Sequence, residues 1–432
     1  MLLWTTRLYQ YFTFKSFTPF LSFMVPYLVE KKGFSIDEMH NSFSPLFFIS
    51  STAVSLVSFL IIELLGNRMS LFVDTLLEII VYLIFIFMPF RSTFLVSTAY
   101  VLHGATTSFG VVMKSILSST AGKNEDKNVI LSTATSIKTF VSVISSWLGQ
   151  DIIMCGGTHL VNMCVSLSGL SLALLTTLTL PGTGHRVEKA KFVDSIKAPT
   201  QMWSMMKDAY AKDVIVASTL SSSAGILYIC LSFYSAGIFL EKRSGIESNT
   251  RINRMMFLIA KPVRLLSYTI IKLFSLMDNS IVYELNPSKA VIIHGYIDGC
   301  SKILSSLIGL QVSRVVSKGM CIPLGFLASV IAMAFAFLLW MSSSMSCSYM
   351  FYILSFIASS ICKTIANMGL QNVCDATQYK FVLSFNLFLS SIIHISITCY
   401  SKRQLLTLRS KLMVYFYVNV FFIAIALVLW MH

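Results

Sequence analysis

Charged residues are scarce in this chain of 432 residues: they make up 12% of it, whereas soluble domains carry roughly 25%. A water-facing surface needs more charge than this, so most of the chain is not a soluble globular domain. Hydrophobic residues make up 55%, and the mean hydropathy is +0.75. They occur in runs of the roughly 20 residues that cross a bilayer. The sequence therefore predicts an all-α membrane protein with twelve transmembrane helices.

The chain also lacks the motifs of common enzyme classes. HExxH, GxSxG and P-loop patterns are absent, and the His residues are not clustered. The nine Cys residues show no CxxC pair and no zinc spacing. We therefore predict no enzymatic activity, no cofactor and no metal site. The first residues do not resemble a cleavable signal peptide, so we expect the first span to act as its own insertion signal.

The apolar runs define the expected spans and their grouping. We predict spans at residues 3–28, 43–65, 70–90, 95–120, 129–154, 158–181, 214–240, 289–313, 320–341, 347–373, 381–400 and 410–430. Residues 182–213 are basic and contain no long apolar run, which predicts a cytoplasmic linker. The expected organisation is an N-terminal six-helix half (1–181), the linker (182–213) and a C-terminal six-helix half (214–432). An inserted basic loop is expected at about 242–287. This layout is typical of major-facilitator carriers, whose substrate site lies between the halves.

Lys and Arg residues in the connections predict the orientation. With a cytoplasmic N-terminus, the inside segments hold 13 of them and the outside loops hold seven. Cytoplasmic loops are enriched in these residues, so both termini are expected inside. The inserted loop adds seven more on the outside and is the exception. The net charge of +14 lies mostly in connections, so we expect a multi-pass plasma-membrane protein in contact with lipid rather than nucleic acid.

Few ionisable residues lie inside the predicted spans, and each is a functional candidate because burying it in hydrocarbon costs roughly 3 kcal/mol or more. They are Lys15, Glu63, Asp74, Glu78, Lys114, Lys138, Asp298, Lys302, Lys363 and His394. Asp298 and Lys302 stand four residues apart on one helix face and can neutralise each other. Glu63 lies beside the tight turn at Gly66. It is either a carboxylate that acts in gating or a residue at a solvated helix end. We assign Glu63, Asp298 and Lys302 to gating and charge pairing.

Three cations are candidates for substrate binding. Lys114, Lys363 and His394 lie well inside their spans, where a side chain cannot easily reach the membrane surface. Cations that converge on a central cavity suit an anionic substrate. The alternative is that each of them pairs with Glu63, with Glu78 or with a backbone carbonyl.

Several stretches follow an order and spacing found in one transporter family. They are Pro26-Tyr-Leu with Phe34 to Pro45, Ser145 to Gln150 with Leu178 to Pro181, Ser223-Ala-Gly225, His294 to Asp298, and Asn386 through His394 to Phe416. Taken together, they resemble the reduced folate carrier family of folate and thiamine transporters nearly end to end. The family's acidic residue in span 2 falls on Glu63, and its lysine in span 11 falls on His394. Its other charged positions fall on or near Leu21, Val111 and Ala358, and residues 250–284 have no counterpart.

The resemblance implies a twelve-helix facilitator fold that transports a water-soluble vitamin by alternating access, with no oligomer required. A folate or related organic anion is the first expectation. A thiamine-like cation is the alternative, and it would need cavity carboxylates such as Glu63 and Glu78. Because three of the family's charged positions are uncharged here, a non-transporting receptor or scaffold on the same fold is the alternative of another class.

Overall fold

The computed structural model describes residues 2–120, 127–154, 157–180, 211–243, 294–316, 318–342, 344–374, 376–404 and 408–431. Within these ranges the chain is helical and contains no β-strand. The predicted linker at 182–213 lies outside the described residues except for its last three. The predicted basic loop at 242–287 lies outside them except for its first two.

The helices follow the apolar runs closely. Their bounds are α1 Leu2–Lys15, α2 Met24–Glu30, α3 Ser44–Phe87, α4 Thr93–Thr120, α5 Lys127–Met154, α6 His159–Thr179, α7 Ala211–Arg243, α8 His294–Val315, α9 Cys321–Met341, α10 Met345–Val373, α11 Ala376–Arg403 and α12 Leu408–Met431. Below, α1–α6 are called the N-terminal group and α7–α12 the C-terminal group. A one-turn helix at Ile36–Glu38 and a wide π turn at Met39–Phe43 lead into α3.

The first predicted span is broken in its middle. α1 ends at Lys15, and helical structure resumes with a 3-10 turn at Leu21–Phe23 and then α2. Pro19 lies in the break, where its missing N–H does no harm. The broken backbone packs closely on glycine: a Cβ at Gly149 of α5 would lie 2.5 Å from the Pro19 carbonyl oxygen. Small residues allow such close helix approach, so α5 holds the break in place.

Gly66 separates the second and third predicted spans, which run as one element in α3. It is the one residue inside α3 with non-helical angles (φ 73°), and the helix changes direction there. This conformation is the left-handed one that glycine adopts without strain. Next to it, the Arg68 guanidinium donates to the Leu178 carbonyl at 2.6 Å, which fastens this turn to the end of α6.

Six described helical segments are long and apolar enough to cross a membrane. They are Leu64–Phe87, His159–Thr179, Cys321–Met341, Cys347–Val373, Phe381–Arg403 and Ser410–Met431. Large apolar side chains such as Phe421 and Val428 of α12 are exposed, as expected of a lipid-facing surface. The count of twelve spans stays a prediction.

Each group packs around its own helices, and a smaller set of helices joins the groups. In the C-terminal group, α7 lies centrally and its serines bond to asparagines of three helices: Ser218 to Asn386, Ser221 to Asn367, and Ser223 to Asn419. The groups meet where α5 packs on α8 and where α3 and α4 pack on α11. Lys138 lies on α5 and Asp298 on α8, the two helices of the first of these contacts.

Candidate functional site

Among the described residues, two core lysines from different helix groups form no ion pair with a carboxylate. Lys138 is the twelfth of the 28 residues of α5, and Lys363 is the nineteenth of the 29 residues of α10. Their ammonium groups interact electrostatically. Across the described ranges, the ion pairs involve other lysines and arginines and not these two. Lys363 lies over the ring of Tyr228 instead, with 4.9 Å between Nζ and the ring centroid.

The side chain of Lys138 is exposed and that of Lys363 is half-buried, although both stand far from their helix ends. Lys138 also interacts electrostatically with Lys15 of α1 and Lys302 of α8. The exposed side chain of Lys138 has charged neighbours in both groups, and we call the region around it, between the two groups, the central opening. The sequence flagged Lys138 as buried charge but gave it no role. The sequence around Lys138 does not show that Lys363 is one of its charged neighbours.

A charged triad of Lys15, Asp74 and Glu78 lies in the N-terminal group. The Lys15 ammonium forms an ion pair with Asp74 and lies 3.6 Å from Glu78 Oε2. Tyr11 donates a hydrogen bond to Asp74 Oδ2 at 3.4 Å. Asp74 is fully buried, and its Oδ1 has no hydrogen-bond partner among the described residues. Two carboxylates thus share one ammonium group, and Lys138 interacts electrostatically with both of them.

Asp298 of α8 joins the two helix groups. Its Oδ2 accepts from Lys302 Nζ at 2.5 Å, in the i,i+4 arrangement that the spacing predicts. The same oxygen accepts from Ser22 at 3.3 Å and Ser146 at 3.2 Å, both in the N-terminal group. Tyr352 of α10 donates to Oδ1 at 3.4 Å. The Asp298 carboxylate therefore forms hydrogen bonds between the two helix groups in addition to its ion pair with Lys302.

His394 lies within the contact between α3 and α11. It is fully buried and stacks on Phe48 of α3, with 4.6 Å between centroids and 6° between ring planes. Its Nδ1 lies 2.8 Å from the Tyr415 hydroxyl. In this conformation His394 does not border the central opening, although the sequence grouped it with Lys363.

Lys114 and Glu63 complete the predicted set. Lys114 belongs to α4 and Glu63 to the first part of α3. Their side chains are outside the described part of the structure, so their roles in substrate binding and gating remain predictions.

Lys411 lies at the start of the last predicted span, and the structure buries it. Only 1% of it is exposed, and its ammonium donates to Asn41 Oδ1 at 2.6 Å. This bond joins the start of α12 to the π turn before α3. With the stack of His394 on Phe48, it closes the end of the bundle that we call the Asn41 end. The sequence signal was weak: one cation at the start of an apolar run.

The loop at this end has its own charge network. Ser35 caps the turn at Ile36–Glu38 in a capping box: its backbone N–H donates to Glu38, and its hydroxyl accepts from the Glu38 N–H. The Arg91 guanidinium lies 3.3 Å from Glu38. The Ser35 N–H and Arg91 favour the ionised carboxylate and hold the pKa of Glu38 below its ordinary value.

Comparisons with known proteins identify the fold and no family. No protein-family model matches the chain, and no curated protein matches it by sequence. Among solved structures, the nucleoside transporter NupG and the E. coli fucose:proton symporter FucP are similar. Each matches with a TM-score of 0.58 and 12% identity, over 98% of this chain and 98% of its own.

The class of protein follows from the fold. These neighbours are major-facilitator transporters, so the chain has a major-facilitator-like fold. Together with the apolar helices, this makes it a multi-pass membrane protein. The likeness to the reduced folate carrier family remains a resemblance in sequence.

Proposed function

We propose that the protein is a secondary transporter that carries a small organic anion through the central opening by alternating access. The observation that carries this proposal is the pair of core lysines, Lys138 and Lys363. They come from opposite helix groups, interact with each other and have no carboxylate within ion-pair distance in the described chain.

An anion between the two lysines would relieve their mutual repulsion. Two unit charges about 4 Å apart interact by about 4 kcal/mol at an effective dielectric constant of about 20, so each lysine–anion contact outweighs a hydrogen bond in water. The ring of Tyr228 contacts Lys363 and attracts its ammonium group without neutralising it. In the described chain, no carboxylate therefore competes with a ligand for the ammonium group of Lys363.

The closed Asn41 end supports alternating access. Lys411 with Asn41, His394 with Phe48, and Asp298 with two serines all join the groups. Opening this end requires these contacts to separate, which would uncover His394. We propose that His394 meets the substrate in that second state and that Lys114 borders the same path. Asp298 and Lys302 act as the gate pair.

The sequence resemblance makes folate or a related anion the first substrate to test, at the plasma membrane. The thiamine-like alternative needs carboxylates that face the opening. Lys15 already engages Asp74 and Glu78, which favours the anion. A receptor or scaffold that binds the anion without moving it is the second candidate function.

The test is uptake of radiolabelled folate, thiamine and thiamine phosphates by cells that express the chain. We expect uptake of an anionic member of this panel. Lys363→Gln and Lys138→Gln should each lower its kcat/KM at least about tenfold, which is about 1.4 kcal/mol. Lys402→Gln is the matched control, because Lys402 is exposed at the end of α11, and it should transport normally.

Surface biotinylation shows whether each variant reaches the membrane in wild-type amounts. His394→Ala should also lower folate uptake, because the proposal gives His394 a contact in the second state. Full uptake by both lysine variants would refute the proposed site. Binding without uptake would identify the receptor instead.

A further inference from the structure

We infer that Asp74 and Glu78 together form a proton-binding site, and that proton binding there is coupled to anion binding at Lys138 and Lys363. This inference rests on the proposed function, because it assumes that an anion enters the central opening. It begins from the charge imbalance of the triad: two carboxylates share the single ammonium group of Lys15.

Both carboxylates of the triad are buried, so their unequal number relative to the Lys15 ammonium costs free energy. Asp74 is fully buried and Glu78 is 7% exposed. Asp74 Oδ1 also lacks a hydrogen-bond partner among the described residues. A buried carboxylate oxygen without a donor is costly. One added proton would leave Lys15 with one ionised carboxylate and would leave the charge of Lys138 without an acidic counterpart in the triad.

The geometry favours a proton over a metal ion. Lys15 Nζ already lies between the carboxylates, in an ion pair with Asp74 and 3.6 Å from Glu78. A metal ion would have to displace it. In the part of the chain that the structure describes, no group of three or more His, Cys, Asp or Glu side chains could hold a metal ion. A proton needs no shell of ligands.

Lys138 connects the two sites. It interacts electrostatically with Glu78 and Asp74 in the N-terminal group and with Lys363 in the C-terminal group. While both carboxylates are ionised, they offset the charge of Lys138. A proton on the pair removes part of that offset, so Lys138 attracts an anion more strongly. By linkage, the bound anion strengthens proton binding by the same factor.

The predicted result is symport of the anion with a proton. The pair takes the proton from water on one side of the membrane, and the proton returns to water on the other side when the anion leaves. Because the carboxylates are close together, the proton belongs to the pair rather than to one residue.

Other titratable or charged groups also surround the pair. They are Tyr11 and Lys15 of α1, Tyr82 of α3, His103 of α4 and Lys138 of α5. Among them, only His103 is of a type that ordinarily titrates near neutral pH. A His103→Gln variant therefore separates its contribution from that of the carboxylates.

The experiment uses the full chain reconstituted in liposomes with labelled folate. An inwardly directed proton gradient should drive accumulation, and initial uptake should rise about tenfold between about pH 8 and about pH 5.5. Glu78→Gln should keep folate exchange at equal pH on both sides within about threefold of wild type. It should lose both accumulation and the response to pH.

Glu30→Gln is the matched control, since Glu30 is exposed at the end of α2, and it should behave as wild type. Asp74 also holds Lys15, so Asp74→Asn is expected to lower the yield of folded protein, and Glu78→Gln is the primary variant. Preserved exchange by Glu78→Gln shows that this variant is folded.

The outcomes distinguish the two proposals. Folate exchange without any response to pH in the wild type overturns the coupled site and leaves the transporter standing. Accumulation that survives in Glu78→Gln also overturns the coupled site, as does a pH response that disappears in His103→Gln while both carboxylates are intact. If the wild type neither exchanges nor accumulates any anion of the panel, the proposed function itself fails.

Discussion

The two helix groups hold their buried cations in different ways. In the N-terminal group, Lys15 meets two carboxylates, Asp74 and Glu78. In the C-terminal group, Lys363 meets the aromatic face of Tyr228. A carboxylate neutralises a buried ammonium, whereas a ring only attracts it. Lys15 is therefore neutralised inside the N-terminal group, whereas Lys363 of the C-terminal group has no ion-pair partner among the described residues and is left for a ligand.

Among the variants that test this difference between Lys15 and Lys363, we expect the largest loss of stability from a substitution of Asp74. Asp74→Asn should destabilise the protein by about 3 kcal/mol, because it breaks the buried ion pair with Lys15 and leaves that ammonium only the longer contact with Glu78. Thermal unfolding of the purified protein in detergent measures this loss. Asp213→Asn is the control, because Asp213 is exposed in the first turn of α7.

The triple variant Lys15→Met, Asp74→Leu and Glu78→Met should recover most of the lost stability, since apolar residues can replace a buried set of paired charges. If Asp74→Asn melts like the wild type, Lys15 is not held by this pair and the contrast between the groups disappears.

The contact between the groups predicts the next effect. Lys411→Met removes the charged hydrogen bond to Asn41 and should weaken the closed Asn41 end by about 1.5 kcal/mol. That change shifts the population towards the state open at this end by about tenfold. A membrane-impermeant maleimide that labels a cysteine introduced at Ser22 reports the shift. Unchanged labelling would mean that Lys411 does not hold this end closed.

A smaller effect is expected at Tyr228. Tyr228→Leu removes the ring and should raise the KM for the anion about fivefold, because a cation–π contact is worth about 1 kcal/mol. Tyr228→Phe keeps the ring face and should transport normally, which makes it the matched control in uptake assays. Equal KM values for the two variants would show that the ring does not position Lys363.

The smallest effect lies outside both groups, at Glu38. Its folded-state pKa is lowered, so the stability it adds is present above the ordinary pKa and is lost as pH falls through the lowered value. Glu38→Gln should lower the melting temperature by about 1 °C at about pH 7 and by nothing at about pH 3. A difference that grows as the pH falls would contradict the assignment.

The sequence predicted what depends on local pattern. Apolar length located the helices, and Gly66 marked the change of direction in α3. The i,i+4 spacing identified the pair of Asp298 and Lys302, because helical neighbours are fixed by geometry alone.

It could not predict partners that tertiary packing brings together. Asp74 lies 59 residues from Lys15 along the chain, and Lys411 lies 370 residues from Asn41. The sequence around a buried lysine does not show whether its ammonium group contacts a carboxylate or an aromatic ring. The contact of Lys363 with Tyr228 could therefore not be predicted either. The burial of His394 depends on how α11 packs against α3, which no periodicity records.

The serine–asparagine bonds around α7 have a mechanical consequence. They tie α10, α11 and α12 to one central helix, and all of them lie within the C-terminal group. Such a group can tilt as a stiff body, since none of these bonds has to break when its neighbour moves away. The energy barrier between the two transport states is then set by the contacts that break and form where the two groups meet. Replacing one of these α7 serines by alanine should therefore make the C-terminal group less stiff and leave the contacts between the two groups unchanged.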